Sequence, residues 1–299
     1  MTALTYIPFA KGHGTGNDFL ILHDPQDHLE LQPDYITQLC SRREGLGADG
    51  LLRLVRTTAH PDTRAMAGRA EWFMDYRNAD GSTGSMCGNG ARLAGRYLVD
   101  AGHHLPGHFS LATRAGLRDL HVPADPHEDV AVDMGRPNLP RPARVHVTVG
   151  ERRWPALHVD VGNPHAVVFT NDLTQAGDLQ QPPRITPAGA YPHGTTVEFV
   201  HNLGSHHLVV RVHERGVGET PSCGTGACAA VTAARHVGPQ PAGQARYAVD
   251  FPGGRLHVDV DTDGAMTLNG PALLTARGIL GLQASPHVLA RAAPAATFD

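Results

Sequence analysis

One motif occurs twice in this chain and constrains its fold more than any other feature. In each copy a strand-like run leads through a turn to a Cys-Gly-x-Gly sequence, and a run of good helix formers follows. The first copy contains Cys87 and closes near Gly102, and the second contains Cys223 and closes near Gly238, 15 positions after the cysteine in both cases. Matched spacing in a matched context indicates an internal duplication with one cysteine in each half.

Both cysteines are predicted to lie at the N-terminus of a helix. Backbone N–H groups are unpaired there and the helix dipole favours negative charge, so the position favours a thiolate relative to a free cysteine. The glycines that follow allow an anion to approach the backbone closely. We therefore expect the loops that contain Gly88, Asn89, Gly224 and Thr225 to bind a carboxylate through their N–H groups.

Two such thiols suit the inversion of a carbon atom next to a carboxylate. The reaction removes a proton from one face of the carbon and returns a proton to the other face, so it needs a base and an acid. A thiol with a pKa of roughly 8.5, lowered by a helix end, can serve as either near neutral pH. Donors in the two loops would stabilise the negative charge that develops on the substrate. Duplicated halves match a reaction whose two directions are near mirror images.

The composition permits two globular domains and argues against several classes of protein. The chain has 299 residues, of which 41% are hydrophobic, and this suffices for two cores. Its net charge of −4 has mixed signs, so no nucleic-acid partner is predicted. No apolar run approaches the roughly 18–20 residues that span a bilayer, and the N-terminus lacks a signal peptide. Four cysteines do not make a disulfide scaffold, so we expect a cytoplasmic protein.

Neither a metal ion nor an organic cofactor is predicted. The chain has 20 histidines, but the adjacent pairs His103–His104 and His206–His207 do not have metal-ligand spacing. The stretch 45–50 matches G-x-G-x-x-G, yet a predicted helix precedes it and a strand follows, the reverse of a dinucleotide-binding fingerprint. The stretch 11–19 is predicted to be a Gly-rich loop between two strands, and no helix follows it to receive a phosphate.

Short strands dominate the predicted secondary structure, so the fold class is α+β. One helix per half is rich in small residues and could be buried on all sides. The polar, proline-containing stretch 124–129 is the predicted boundary between domains. We expect one domain to contain residues 1–124 and 271–299, and the other residues 125–270. From about Ser285 the Ala/Pro-rich sequence predicts a frayed tail.

Six stretches, in order along the chain, resemble the diaminopimelate epimerases, which are cofactor-independent amino-acid racemases. They are His13–Phe19, Asn78–Ser82, Cys87–Arg92, Gly162–His165, Glu214–Thr220 and Cys223–Ala229. The resemblance implies two pseudo-symmetric domains, each a curved, mostly antiparallel sheet around a central helix. It also implies a homodimer.

The resemblance implies a role for each matching residue. Cys87 and Cys223 would be the two catalytic residues, and Cys87 would act on the LL substrate. Asn17 and Glu214 would lie near the reacting amine. The distal end of the substrate, which is not inverted, would be held by Asn78, Asn163 and Arg215.

Two further positions follow from the resemblance. His165 would lie close to the reacting centre. Thr196 stands where the family often has an asparagine that touches the distal carboxylate. A threonine hydroxyl can still donate one hydrogen bond, but it is shorter and lacks the amide. The implied activity is the interconversion of LL- and meso-diaminopimelate, in the biosynthesis of lysine and of peptidoglycan precursors.

Three other classes stay open. A proline-type racemase also has two cysteines, but such enzymes tend to carry His where this chain has Asn89. A thiol-redox protein or thiol hydrolase could use two cysteines, yet the chain has no C-x-x-C, and a hydrolase with one nucleophile gives no reason for a second matched loop. A non-catalytic binding protein of the same fold would require neither thiol.

Overall fold

The computed structural model describes residues 5–140, 145–238 and 243–282, and the expected tail from about Ser285 lies outside them. Within these residues the chain forms three α-helices and 18 strands, here numbered in chain order. It divides into two compact units. The first unit contains Met1–Gly14, Asp18–Pro126 and Ala272–Asp299, and the second contains Thr15–Asn17 and His127–Pro271.

The first unit is a curved, mixed sheet with one helix at its centre. Its elements are β1 (Thr5–Gly14), β2 (Asn17–His23), α1 (Pro33–Cys40), β3 (Gly50–Arg56), β4 (Trp72–Asn78), α2 (Gly88–Asp100), β5 (Gly107–Thr113), β6 (Gly116–Val122) and β18 (Leu273–Leu282). The strand order is β18-β1-β2-β3-β4-β5-β6, and only the pairs β2–β3 and β4–β5 are parallel among these described strands. A short 3₁₀ helix, Pro61–Met66, precedes β4.

Helix α2 is buried because small residues let the strands approach it from several sides. It packs against β1, β3, β4, β6 and β18, which include both ends of the sheet. Its residues Ala91, Leu93, Ala94 and Leu98 are fully buried. A methyl group at Gly95 would lie 2.7 Å from the Leu120 side chain of β6, so a larger residue there would push the sheet away. The predicted helix buried on all sides is confirmed.

The second unit has the same design with a longer sheet. Its elements are β7 (Val130–Gly135), β8 (Val145–Val149), β9 (Arg152–Asp160), β10 (Pro164–Phe169), β11 (Arg184–Thr186), β12 (Thr196–Gly204), β13 (His207–Glu214), β14 (Gly218–Thr220), α3 (Gly224–Val237), β15 (Ala245–Phe251), β16 (Gly254–Val260) and β17 (Met266–Gly270). The order is β7-β17-β16-β15-β13-β12-β10-β9, with β14 beside β13 and β8 joining β9 to β11. The alanine-rich α3 packs against six of these strands.

The order of parallel and antiparallel pairs supports the predicted duplication. In the first unit β2 and β3 are parallel, β4 is antiparallel to β3, and α2 leads to β5, which is parallel to β4. In the second unit β10 and β12 are parallel, β13 is antiparallel to β12, and α3 leads to β15, which is parallel to β13. The last hairpin, β5–β6 or β15–β16, is antiparallel in both. The predicted α+β fold with mostly antiparallel pairing is confirmed.

The prediction of a Gly-rich loop over residues 11–19 is wrong. Strand β1 continues to Gly14, and only Thr15 and Gly16, with φ of 51° and 82°, form the turn before β2. Glycine is used here for close approach, since a methyl group at Gly12 would collide with the Leu273 carbonyl and with Leu93 of α2. The stretch therefore lets a strand lie close to the central helix.

Smaller differences occur in three places. The apolar spacing of residues 33–43 predicts a helix over that range, but α1 ends at Cys40 and Ser41 is extended. Strand β9 was not anticipated, because its central proline interrupts the alternation that marks a strand. The prolines of the stretch 180–194 predict a loop, but the stretch contains the three-residue strand β11, which pairs with the edge of β8.

Candidate functional site

Cys87 is the N-cap of α2. Its backbone is extended, with φ −142° and ψ 121°, so it stands just outside the helix. Its Sγ accepts a hydrogen bond from the N–H of Gly90 at 3.3 Å, as a side-chain cap accepts from the first turn. A methyl group at Gly90 would lie 3.6 Å from that sulfur. The first turn therefore presents its N–H groups beside a thiol, as predicted from the sequence.

Cys223 repeats this geometry at the start of α3. Its φ of −135° and ψ of 119° match those of Cys87, and its Sγ accepts from the Gly226 N–H at 3.3 Å. The Thr225 hydroxyl lies 3.4 Å from the same sulfur. Gly88 and Gly224, the first residues of the two helices, are both buried. The predicted position of both cysteines at helix N-termini is confirmed.

The expectation of a lowered pKa is wrong for Cys223, although the helix end acts in that direction. Burial raises the pKa of this thiol well above its ordinary value, and the charges of Glu214 and Glu198 raise it further. The hydrogen bonds from Thr225 and from the Gly226 N–H act in the other direction and are outweighed. Cys223 is therefore a neutral thiol near neutral pH, the form that can donate a proton.

The predicted residues of the first unit are held by neighbours within that unit. Asn89 lies in the first turn of α2 and is 1% exposed, and its Oδ1 accepts from the Arg92 guanidinium at 2.9 Å. Asn78 ends β4, where its Oδ1 accepts from the Tyr76 hydroxyl at 2.7 Å and its Nδ2 donates to Ser82 at 2.9 Å. Both amides therefore have fixed orientations.

The turn that precedes Asn17 is attached to the segment just before Cys223. The hydroxyls of Thr15 and Ser222 are 2.6 Å apart, and both residues are buried. A methyl group at Gly16 would lie 2.9 Å from Pro221, so the turn and this segment are in direct contact. Asn17, 8% exposed, is thereby brought to the side of the second cysteine loop.

Strands β10 and β12 carry three further predicted residues. Asn163 follows Gly162, which has a φ of 90°, and the tight turn leads directly into β10. His165 on β10 and Thr196 on β12 are paired in the parallel register. His165 is fully buried and Thr196 is 6% exposed. The two strands therefore bring a histidine and a hydroxyl side by side.

Glu214 and Arg215 lie at the end of β13, which leads towards the second cysteine. The Glu214 carboxylate accepts a hydrogen bond from the Thr220 hydroxyl at 2.6 Å. Arg215 is exposed and donates from Nη1 to the His193 carbonyl at 2.9 Å. A methyl group at Gly194 would lie 2.8 Å from the Arg215 side chain, so this glycine makes room for the guanidinium stem.

Comparison with known proteins decides the family. The family model described as diaminopimelate epimerase matches residues 9–140 and 157–274. The chain belongs to the diaminopimelate epimerase family. It is 54% identical to a diaminopimelate epimerase of Streptomyces coelicolor over 92% of this chain and 95% of that protein. It is 45% identical to one of Thermobifida fusca over 92% of this chain and 98% of that protein.

The fold of this diaminopimelate epimerase family member extends to distant proteins. A crystal structure of a Bacillus anthracis phenazine biosynthesis protein of the PhzF family has a TM-score of 0.67 at 14% identity, covering 92% of this chain and 99% of that chain. At this identity the likeness concerns the fold alone. The predicted diaminopimelate epimerase-like fold is confirmed.

One polar residue of this family member, Glu198, was not predicted from the sequence as part of the site. Glu198 lies in β12 between Val197 and Phe199, is fully buried, and its Oε1 is 2.6 Å from His165 Nδ1. A carboxylate within an apolar strand was a signal that could have been noticed, because a buried charge requires a partner. Its partner could not be found from the sequence, since it depends on the pairing of β10 with β12.

Other features of the described residues do not coincide with the cysteine loops. A pocket of about 550 Å³ in the second unit is lined by Arg215, Tyr191, His213 and several apolar residues, and Arg215 is the only predicted site residue among its described lining. The described residues contain no group of three His, Cys, Asp or Glu side chains arranged to hold a metal ion. No helix within them is long and apolar enough to cross a membrane.

Proposed function

We propose that the chain is an epimerase that interconverts LL- and meso-diaminopimelate without an organic cofactor or a metal ion. Cys87 and Cys223 are the two residues that exchange protons with the α-carbon. In the direction that starts from the LL form, the Cys87 thiolate takes the α-proton and the Cys223 thiol gives a proton to the opposite face. Each turnover leaves the first sulfur protonated and the second deprotonated, and the reverse direction restores them.

The remaining residues bind the substrate in this proposal. The first-turn N–H groups at Gly88, Asn89, Gly224 and Thr225 hold the reacting carboxylate and stabilise the charge that develops on it. Asn17 and Glu214 contact the reacting amine. The distal end, which keeps its configuration, is held by a set of polar side chains. These are Asn78, Asn163, Thr196 and Arg215.

The matched caps at Cys87 and Cys223 carry the proposal. Both sulfurs accept from the third N–H of a buried helix at the same distance, 3.3 Å, and both backbones have nearly the same φ and ψ. A binding protein or a hydrolase with one nucleophile has no need for two such sites. The high pKa of Cys223 supports its role as the proton donor in the first direction.

Hydrogen exchange at the α-carbon of the substrate, measured by NMR, tests the proposed mechanism. Purified protein is incubated with LL-diaminopimelate in D₂O and reducing buffer, with no cofactor added. We expect deuterium to enter one α-carbon while the meso form appears. Cys87→Ser and Cys223→Ser are each expected to slow this by at least about 10²–10⁴-fold, the range for loss of a general acid or base.

A matched control separates chemistry from folding. Cys228 is a fully buried thiol in the same helix as Cys223, five positions further on, so Cys228→Ala removes a sulfur without touching the cap. We expect it to keep full exchange. Conversion to the meso form at the wild-type rate in either serine variant contradicts the two-base proposal. If the wild-type protein inverts other amino acids but not diaminopimelate, the substrate is wrong and Thr196 is the first residue to examine.

Four further features belong to the same proposal. We propose that the protein is a cytoplasmic homodimer and serves the biosynthesis of lysine and peptidoglycan precursors. We also propose that residues 1–124 with 271–299, and residues 125–270, are its two domains. Sedimentation of the purified protein tests the dimer, since a monomer of 31.8 kDa would contradict it.

A further inference from the structure

A buried histidine–carboxylate pair lies under the first turn of α3. His165 on β10 and Glu198 on β12 are both 0% exposed, and Nδ1 of the histidine is 2.6 Å from Oε1 of the glutamate. The two strands are adjacent and parallel, and Glu198 lies two residues beyond the partner of His165 in the register. The sheet therefore fixes both side chains against each other.

Only one polar atom in each side chain of the pair has a hydrogen-bond partner among the described residues. Among the described residues, His165 Nε2 and Glu198 Oε2 have no hydrogen-bond partner, although both atoms are buried. A buried ionisable pair of this kind adds little to stability, because desolvation offsets the attraction between its members. An unpartnered buried polar atom in a native protein requires an explanation, and a functional role is one. Both atoms therefore keep an unused hydrogen-bonding capacity.

The carboxylate also lies beside the second cysteine loop. A methyl group at Gly226 would be 2.8 Å from Glu198 Oε1 and 3.3 Å from Cys223 Sγ, so both atoms border the same small space. Gly226 is the residue whose N–H caps that sulfur. Glycine at this position therefore lets the carboxylate, the sulfur and the helix end come together.

Few other titratable groups act on the pair. The charge of Glu198 helps to raise the pKa of Tyr191, after burial, and helps to raise the pKa of Cys223, after burial and Glu214. His158, on the adjacent strand β9, interacts electrostatically with His165. Glu198 is thus the group that contacts both the ring and the cysteine loop.

We propose that Glu198 is a positioning residue that holds His165 as the tautomer with the proton on Nδ1, so that Nε2 is the basic atom offered to the reacting groups. The reason is geometric, because a carboxylate can only accept from Nδ1, and a neutral imidazole that donates at one nitrogen must accept at the other. The consequence for catalysis rests on the function proposed above, whereas the tautomer itself does not.

The tautomer is tested by ¹⁵N NMR of protein labelled in its histidine rings. His165→Asn identifies the signals of this ring by their absence. We expect the wild-type ring at neutral pH to carry its proton on Nδ1 and none on Nε2. Glu198→Gln keeps an acceptor and is expected to preserve this pattern, whereas Glu198→Met removes the acceptor and is expected to lose it.

Kinetics then separates positioning from a structural role. Glu198→Met is expected to lower kcat about 10- to 100-fold, as loss of the group that orients a metal-binding histidine does, with KM nearly unchanged. Its melting temperature is expected to fall, since the buried Nδ1–H of His165 loses its acceptor, so kcat is measured at a temperature at which the variant is fully folded. Glu198→Gln should recover much of kcat. In a His165→Asn background, Glu198→Met should have no further effect on kcat.

The chain offers a matched control. His207 and Asp250 form a similar pair, 2.7 Å apart and about one-third exposed, in the same unit. Asp250→Asn is expected to leave kcat unchanged. A wild-type ring protonated on Nε2 overturns the proposal, and so does a fully folded Glu198→Met variant that keeps the wild-type kcat. A protein without epimerase activity contradicts the proposed function instead, because the ring signals are read without turnover.

Discussion

Neighbouring groups shift the pKa of the Cys223 thiol in opposite directions. The helix end and the Thr225 hydroxyl stabilise a thiolate, whereas burial and two carboxylates stabilise the thiol and prevail. Alkylation by iodoacetamide requires the thiolate, so its rate reports the protonation state. We expect the rate at Cys223 to keep rising as the pH passes 9.0, the ordinary pKa of a cysteine. Peptide mass spectrometry measures it.

A single substitution tests the cause of that shift. Glu214→Gln removes the larger of the two carboxylate contributions, so the alkylation curve should move to lower pH while burial stays the same. The buried Cys228 in the same tryptic peptide serves as an internal reference. A wild-type curve that levels off below about pH 8 would contradict the high pKa of Cys223.

At the scale of single residues, the local sequence predicted the features that depend only on the local backbone. The Cys-Gly-x-Gly motif was sufficient to predict both N-caps, because the cap and its N–H donor are three residues apart. The protonation state of Cys223 was predicted in the wrong direction, since burial and the charge of Glu198 come from strands distant in the sequence. For the same reason the pair of His165 and Glu198, 33 residues apart, was not predicted.

Strand β4 carries a buried carboxylate that holds three arginines together. Asp75 is 1% exposed and forms ion pairs with Arg53 at 3.0 Å, Arg77 at 2.8 Å and Arg114 at 2.7 Å. Burial opposes the charge, but the hydrogen bond from Arg77 and the nearby guanidinium groups lower its pKa to about 2. The carboxylate therefore links β3, β4 and the turn after β5.

Asp75→Asn should destabilise the first unit strongly. It removes the counter-ion shared by three guanidinium groups, of which the buried Arg53 still pairs with Asp24 and Asp27, and loss of one partner of a buried pair costs up to about 3–5 kcal/mol. Urea unfolding followed by tryptophan fluorescence measures this. The chain has two tryptophans, Trp72 beside Asp75 in β4 and Trp154 in the second unit, so a Trp154→Phe background reports the first unit alone.

The control for Asp75 is another carboxylate that accepts from an arginine. Asp250 pairs with Arg255 at 2.6 Å, but the arginine is half exposed, so Asp250→Asn should cost only about 0–1 kcal/mol. Because Asp250 lies in the second unit, its variant is followed through Trp154 in a Trp72→Phe background. Equal losses of unfolding free energy in the two variants would show that the burial of Asp75 adds nothing to the cost of removing its charge.

Among the elements, alternation of apolar residues was enough to predict most strands. It failed where glycine or proline altered the pattern, as at the end of β1 and in β9, because neither residue supplies a side chain to the alternation. It also gave no account of which strands pair. The strands of the parallel pairs β2–β3 and β10–β12 are joined by long crossover connections, which the alternation within a strand does not reveal.

The stability of the whole molecule should depend on pH through its histidines. His23, at the end of β2, stacks on His103 with ring centres 3.9 Å apart. Burial lowers the pKa of His23 to about 4, and the charges of His103 and Arg56 lower it further, against a smaller opposing effect of Asp24. The unfolded chain, with a pKa near the ordinary 6.5, binds this proton more readily. Stability is therefore present above about pH 6.5 and is lost as the pH falls towards 4.

His23→Phe should reduce the loss of stability that accompanies a fall in pH. The phenyl ring can keep the stack but cannot take up a proton, so the variant and the wild type should match near pH 7.5 in their response to urea. Between pH 7 and 4.5 the variant should lose about 1–2 kcal/mol less, a value reduced for the partial exposure of the ring. The Trp154→Phe background is again the reporter. Parallel stability curves across this range would contradict the prediction.

The antiparallel pairing of β1 with β18 joins residues from opposite ends of the chain, from Thr5 opposite Leu282 to His13 opposite Leu273. A ribosome releases every described strand of the second unit before it releases β18. The usual order of co-translational folding, with the N-terminal part first, is thus reversed here. Until β18 has been synthesised, β1 has an unpaired edge that can attract other nascent chains. Protection of that edge during synthesis is then a matter for chaperones and for the speed of translation between β1 and β18.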